Sequence, residues 1–332
     1  MKKLAAVFLI FTLSLAGCGD DGSTEVELER DVWAGFESEV EETPEEMFVN
    51  TGFYPESARD DQIKALERSN WYRWQSGLPQ LDMIEAINKA TQAHSDYYAE
   101  YVSNYASSGL SPHNENPSWA NGFTGAQFWE RCSYFAYHDC SSEVIAFYHN
   151  AKLSVDGWMN TLYHRIPFMD ASQVSMGYGA AGAGGWQNSN KIDTVDFGSK
   201  NANGMGYNGP ELAGIYPPPG STGIPPSFDG MESPQPPPPP SGYPSGTIVT
   251  ITWSKNAVFA VEDYRLWSEE DQEDLPLVWL DHTNDTNLAG ASTIAMYAYD
   301  PLQKGTKYWV HIKGKKGGLD WEKTWHFYTT RY

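Results

Sequence analysis

Cations are scarce in this chain: 22 Lys and Arg stand against 43 Asp and Glu over 332 residues, a net charge of −21. So acidic a chain lacks the basic surface that nucleic acid or an anionic membrane requires, and both are excluded as partners. Long apolar runs are lacking as well. The one present, Ala5 to Leu15, is too short for an ordinary membrane span. Neither H-E-x-x-H nor G-x-S-x-G occurs, and no Ser or Cys sits in a recognisable nucleophile motif. The acidic N-terminal stretch has no D-x-D-x-D-G spacing, so a calcium loop of that type is absent. What is abundant is aromatic: 14% of residues are Phe, Trp or Tyr. The length allows two domains with linkers.

Residues 1–18 read as an export signal, with Lys2 and Lys3 ahead of the apolar run and Leu15-Ala16-Gly17-Cys18 closing it as a lipobox. Cys18 is then the lipidated N-terminus. The expected location is the cell envelope, lipid-anchored, facing periplasm or exterior, in the outer membrane if the cell has two. The membrane would be touched only through that anchor. Residues 19–61 are dominated by Asp and Glu, and are expected to form a solvated, disordered tether.

A globular segment follows over 62–215. Helical spacing marks Ile63 to Trp74 and, after Gly77-Leu78-Pro79, Leu81 to Val102. There Ile84, Ile87, Thr91, His94, Tyr98 and Tyr101 make one stripe. His94 on that stripe reads as a core histidine with a backbone or water partner rather than a ligand. A turn-rich loop carries His113 and Glu115, a short helix starts near Phe128, and Ser154 is the expected cap of a helix bearing Trp158. Val174 to Tyr178 and Ile192 to Phe197 read as strands. Cys132 and Cys140 suggest a disulfide in an exported protein, with a metal site of Cys132, His138, Asp139 and Cys140 as the rival reading.

Four pieces of this segment carry a resemblance. Ser-Pro-His113, then Ser-Glu143-Val-Ile-Ala, then Trp158-Met-Asn-x-x-x-His164-Arg165, then a glycine-punctuated strand are similar to the bacterial branch of the CAP, or SCP, family. Ser141-Ser142-Glu143-Val144 replaces the family's G-E-N, and Thr161 stands where Ser is usual. The resemblance implies a three-layer α-β-α sandwich. It also implies a cleft in which His113, Glu143 and His164 bind a ligand. No clear equivalent of the second glutamate of eukaryotic members is present; Asp156 and Glu115 are the nearby carboxylates. Two imidazoles and a carboxylate suit an open zinc site. The same trio without metal would bond a polar ligand, place Glu143 behind His113 as a base, or form a buried structural network.

Residues 216–246 are proline-rich and are expected to form a stiff spacer, with a surface wrap anchored by Phe228 and Met231 as the alternative. Beyond them, Thr247–Trp253, Leu275–Leu280, Thr293–Tyr299, Lys307–Ile312 and Thr324–Tyr328 alternate as strands. Residues 247–332 therefore read as a small all-β sandwich, and they resemble bacterial Ig-like modules. The fold class is α+β, a three-layer sandwich followed by an Ig-like one. The functional expectation is a surface lipoprotein whose cleft binds an extracellular small molecule, lipid or cell-wall component. The alternatives are a zinc-assisted hydrolase of peptides or cell-wall material and a purely adhesive protein.

Overall fold

The computed structural model describes residues 48–332 apart from 120, 183–190, 255–257, 290–291 and 332. Before residue 48 it describes two short paired strands, β1 (Ile10–Thr12) and β2 (Glu27–Glu29). The lipobox with Cys18, the rest of the export signal and the remainder of the acidic stretch to 47 lie outside the described residues.

The first domain runs through α1 (Asp60–Gln75), β3 (Asp82–Met83), α2 (Glu85–Ser108), α3 (Phe128–Tyr134), β4 (Cys140–Ala146), α4 (Ala151–Met159), α5 (Ile166–Met169), β5 (Ser175–Ala181) and β6 (Ile192–Gly198). Its sheet has the order β3-β5-β6-β4, with β3 parallel to β5 and the other pairs antiparallel. Every residue of β5 and β6 is buried, so helices cover both faces. On one face Met176, Tyr178, Val195 and Phe197 pack with Leu66 of α1 and with Val155 and Trp158 of α4. On the other lies α2, so close that a Cβ on Gly177 or Gly179 would fall 2.5 or 2.3 Å from the helix backbone. The glycines that punctuate this strand are what let α2 lie down on it. The result is the expected three-layer α-β-α sandwich.

Two boundaries differ from expectation. The acidic tether was expected to reach residue 61, but folded structure already includes Phe48, packed on the core and against Trp74. The Gln80 side chain accepts from the Thr51 and Gly52 amides, and Asp82 accepts from that of Phe53. These bonds satisfy backbone that would otherwise need water. The cap of α4 is Asn150, whose Oδ1 accepts from the Leu153 amide, rather than Ser154, which is buried inside the helix.

The C-terminal part has two four-stranded antiparallel sheets. One, in the order β13-β14-β10-β7, is built from β7 (Ala213–Tyr216), β10 (Val249–Trp253), β13 (Leu277–Leu280) and β14 (Thr293–Ala298). The other, β12-β11-β15-β16, uses β11 (Phe259–Ser268), β12 (Glu273–Asp274), β15 (Lys307–Lys316) and β16 (Leu319–Tyr328). Between them pack Ile251, Trp253, Ile294 and Met296 against Leu266, Tyr308, Val310, Trp325 and Phe327. This is an all-β sandwich consistent with the Ig-like expectation. Strand β11 was not foreseen; Glu262, Asp263 and Arg265 interrupt its apolar alternation.

The proline-rich linker over 216–246 is the main correction. All of β10 and β14 is buried, so their sheet is covered on its second face as well. That face, through Ile248, Ala295 and Tyr297, packs with Leu162 of the first domain and with Phe228 of the proline-rich segment. Within that segment β8 (Ser227–Phe228) pairs with β9 (Ser245–Gly246), and Ile224 bridges to Thr329. Tyr216, at the end of β7, sits in the first domain's core. The segment is a wrap, and the two domains share one interior. Prolines favour extended backbone but do not stop apolar side chains between them from being buried.

Candidate functional site

Strand β4 lies at the edge of the first sheet, and its Glu143 shares a face with Ile145, which packs beside Tyr98 of α2. The Glu143 side chain is 1% exposed and that of His113 is 40% exposed. His113 Nδ1 lies 2.9 Å from Glu143 Oε1, and Arg131 of α3 bonds Oε2 of the same carboxylate. Arg131, fully buried, also donates to the backbone carbonyl of His113 at 3.1 Å. One guanidinium therefore fixes both members of a His–Glu pair. The Cys132–Cys140 disulfide ties α3 to the first residue of β4, three positions before Glu143. It is the disulfide that was expected, and the rival metal reading of those cysteines falls.

Around this pair lies a buried charge cluster. Burial alone would raise the Glu143 carboxyl, but the Arg131 guanidinium, His94 and the His113 hydrogen bond hold it down at about 2. Asp196 stands directly across from Glu143 in the β4–β6 ladder. Burial and the negative Glu143 push its carboxyl well above the ordinary carboxylate range. Two neighbouring carboxyls are thus pushed in opposite directions, Glu143 down and Asp196 up. His94 is fully buried, with Nδ1 3.1 Å from Glu115 and Nε2 2.9 Å from the Pro112 carbonyl. It is the core histidine expected, and Glu115, 2% exposed, belongs to the same network rather than to a solvent-facing site. Asp156 instead bonds Arg68 and Tyr72.

His164 is not part of the His113–Glu143 hydrogen-bonded pair. Its Nδ1 lies 2.8 Å from Glu232, a carboxylate of the proline-rich wrap. Glu232 also accepts from the backbone amides of Leu162, Tyr163 and His164. The neighbouring Arg165 donates to the Ile248 carbonyl and Thr250 Oγ1 and stacks on Tyr216. The His-Arg pair is thus a clasp between domains. The expected trio of His113, Glu143 and His164 is reduced to a pair, because a carboxylate almost seventy residues downstream reaches His164. Among the described residues the only close trio of His, Cys, Asp or Glu is Cys132, Cys140 and Asp196, whose two sulfurs are bonded to each other. A zinc centre with three protein ligands does not fit here: His113 offers one free nitrogen, and both oxygens of Glu143 are engaged.

Arg131 and Asp196 went unremarked in the sequence. For Asp196 a signal was there: Asp193 and Asp196 interrupt the strand I-D-T-V-D-F. Asp193 proves structural, accepting from the amides of Tyr148, His149 and Asn150 and from the Tyr178 hydroxyl.

Comparison with known families matches residues 66–197 to the cysteine-rich secretory protein family, CAP. The match covers less than half of the chain, and the similarity to the CAP family lies in this first domain. The CAP domain thus covers α1 to β6, holding His113, Arg131 and Glu143, while the C-terminal sandwich lies outside the match. Two solved structures share similarity over 42% of this chain. One is an outer surface protein from Borrelia burgdorferi, at 15% identity and TM-score 0.31 over 92% of its length. The other is an extracellular protein containing an SCP domain from Bacillus anthracis str. Ames, at 17% identity and TM-score 0.30. In that case the match spans 40% of the other protein. No curated protein matches.

Proposed function

We propose that this is an exported, lipid-anchored CAP protein that binds an extracellular ligand at His113. The observation that carries the reading is a half-exposed imidazole aimed by a wholly buried, ionised carboxylate. With Nδ1 engaged by Glu143, Nε2 is free to meet a ligand group. The supporting Arg131 and Glu143 are fixed by burial and a disulfide, so the imidazole is preorganised. Export is supported by the N-terminal signal with Cys18 and by the Cys132–Cys140 bond, which belongs to an oxidising compartment. The ligand class that suits such a cleft is a small molecule, lipid or cell-wall fragment with a polar group for His113. A hydrolase with zinc held by His113, Glu143 and His164 lacks its third ligand. The same pair without metal would leave His113 as a base oriented by Glu143.

The test is a thermal-shift screen of peptides, fatty acids and cell-wall saccharides against wild type and His113→Ala. At least one compound should stabilise the wild type and leave the variant unmoved. A panel in which no compound discriminates the two proteins contradicts the reading.

A further inference from the structure

The outer face of the sheet β12-β11-β15-β16 presents a row of rings far from the CAP cleft in sequence. In the ladder Trp309 faces Trp267 on one side and His326 on the other, and Trp267 faces Asp274. Leu266, Tyr308, Val310, Trp325 and Phe327 are buried in the sandwich core. Strand alternation therefore turns Trp267, Trp309, His326 and Tyr328 outward, where each is half-buried. Neighbouring strands lie ~4.8 Å apart, so the three rings of the row span roughly 10 Å. The Trp309 and His326 rings are 4.8 Å apart, and those of His326 and Tyr328 are 5.6 Å apart.

Polar groups rim the row. Glu269 accepts from Trp309 Nε1 at 3.1 Å and touches Lys307 at the same distance, while Lys307 Nζ lies 4.6 Å from the Trp309 ring centre. Arg265 sits between Asp263 and Asp274. His326 is pushed below its ordinary value by partial burial and by Lys307, which favours a neutral ring.

We propose that this face is a platform for a neutral saccharide chain. Half-buried indole and phenol rings along a sheet, inclined to one another by 52° (Trp309–His326) and 90° (His326–Tyr328), offer apolar surface to the C–H faces of successive sugar rings, and the carboxylates and lysine at the margin can bond hydroxyls. Charge selects the occupant. Arg265 and Lys307 are each matched to a carboxylate, so the row has no field to attract an ion. The whole chain, at −21, repels polyanions and a second copy of itself. Cross-strand aromatic pairs also stabilise a sheet, but stability alone would confer no saccharide binding.

The experiment mixes the purified chain with insoluble cellulose, chitin and xylan, and separately with soluble dextran sulfate. Wild type and Leu153→Ala, a surface change in the CAP domain, should be retained by at least one neutral polymer. The double variant Trp267→Ala, Trp309→Ala should lose at least tenfold in retention while keeping its circular dichroism. If that variant does not fold, Trp309→Thr, which retains β propensity, provides the same comparison. The proposal is overturned by retention on none of the three neutral polymers, by undiminished retention of the folded variant, or by binding confined to dextran sulfate. It is also overturned if the tryptophans mediate concentration-dependent dimers in place of saccharide binding.

Discussion

His113 and Glu143 play unequal parts, and substitution separates them. His113 is substantially hydrated, so His113→Ala should cost less than ~1 kcal/mol in stability while abolishing ligand stabilisation. Glu143→Gln leaves Arg131 buried beside a neutral partner and should cost about 3 kcal/mol, read from urea midpoints. The pH dependence follows from the same carboxyl. Because Glu143 is depressed to about 2, its stabilisation is fully present above the unfolded value near 4.5 and is lost as pH falls toward about 2. Asp196 is raised and works the other way, contributing most when protonated and less as pH rises. Between pH 5 and 2 the wild type should therefore lose on the order of 3 kcal/mol more than Glu143→Gln. Equal acid sensitivity of the two proteins would show that Glu143 is not the ionised member. At this scale the sequence was half legible. His113 and Glu143 stood in a readable pattern, whereas His164 took its partner from a segment with no sequence link to it.

Element by element, the sequence revealed most where periodicity was unbroken. The stripe of α2 was plain because it covers a sheet face, although the helix runs on to Ser108 beyond the expected Val102. The disulfide between α3 and β4 was legible because Cys132 and Cys140 stand close together in a chain whose first residues read as an export signal. Its eight-residue span should contribute roughly 2.5 kcal/mol by loop entropy. Cys132→Ser with Cys140→Ser should lower the urea midpoint accordingly and loosen Arg131, while a reduced protein of unchanged midpoint would assign the bond no structural role. Strand β11 and the wrap were hidden for opposite reasons. In β11 a bulge between Val261 and Asp263 breaks the alternation, and the charged Glu262, Asp263 and Arg265 stand at its middle. In the wrap, the proline run favoured the spacer reading over the wrap anchored by Phe228, and nothing in the sequence marked Glu232 as buried.

For the whole molecule the decisive fact is the shared interior. A sheet buried on both faces, Arg165 reaching into β10, and Glu232 closing four donors of the Leu162–His164 turn make the CAP domain and the sandwich one body. The His113–Glu143 pair and the outer aromatic row are therefore held on one frame. Glu232→Ala would leave those donors unanswered and should cost about 2 kcal/mol or more, which would appear as a lower melting temperature for the entire chain. The measurement that tests this account most directly is urea unfolding followed by tryptophan fluorescence and by far-ultraviolet circular dichroism, alongside limited proteolysis. A single body gives coincident transitions from the two probes and no stable fragment beginning near Tyr243. Two separated transitions, with such a fragment folded by itself, would contradict it.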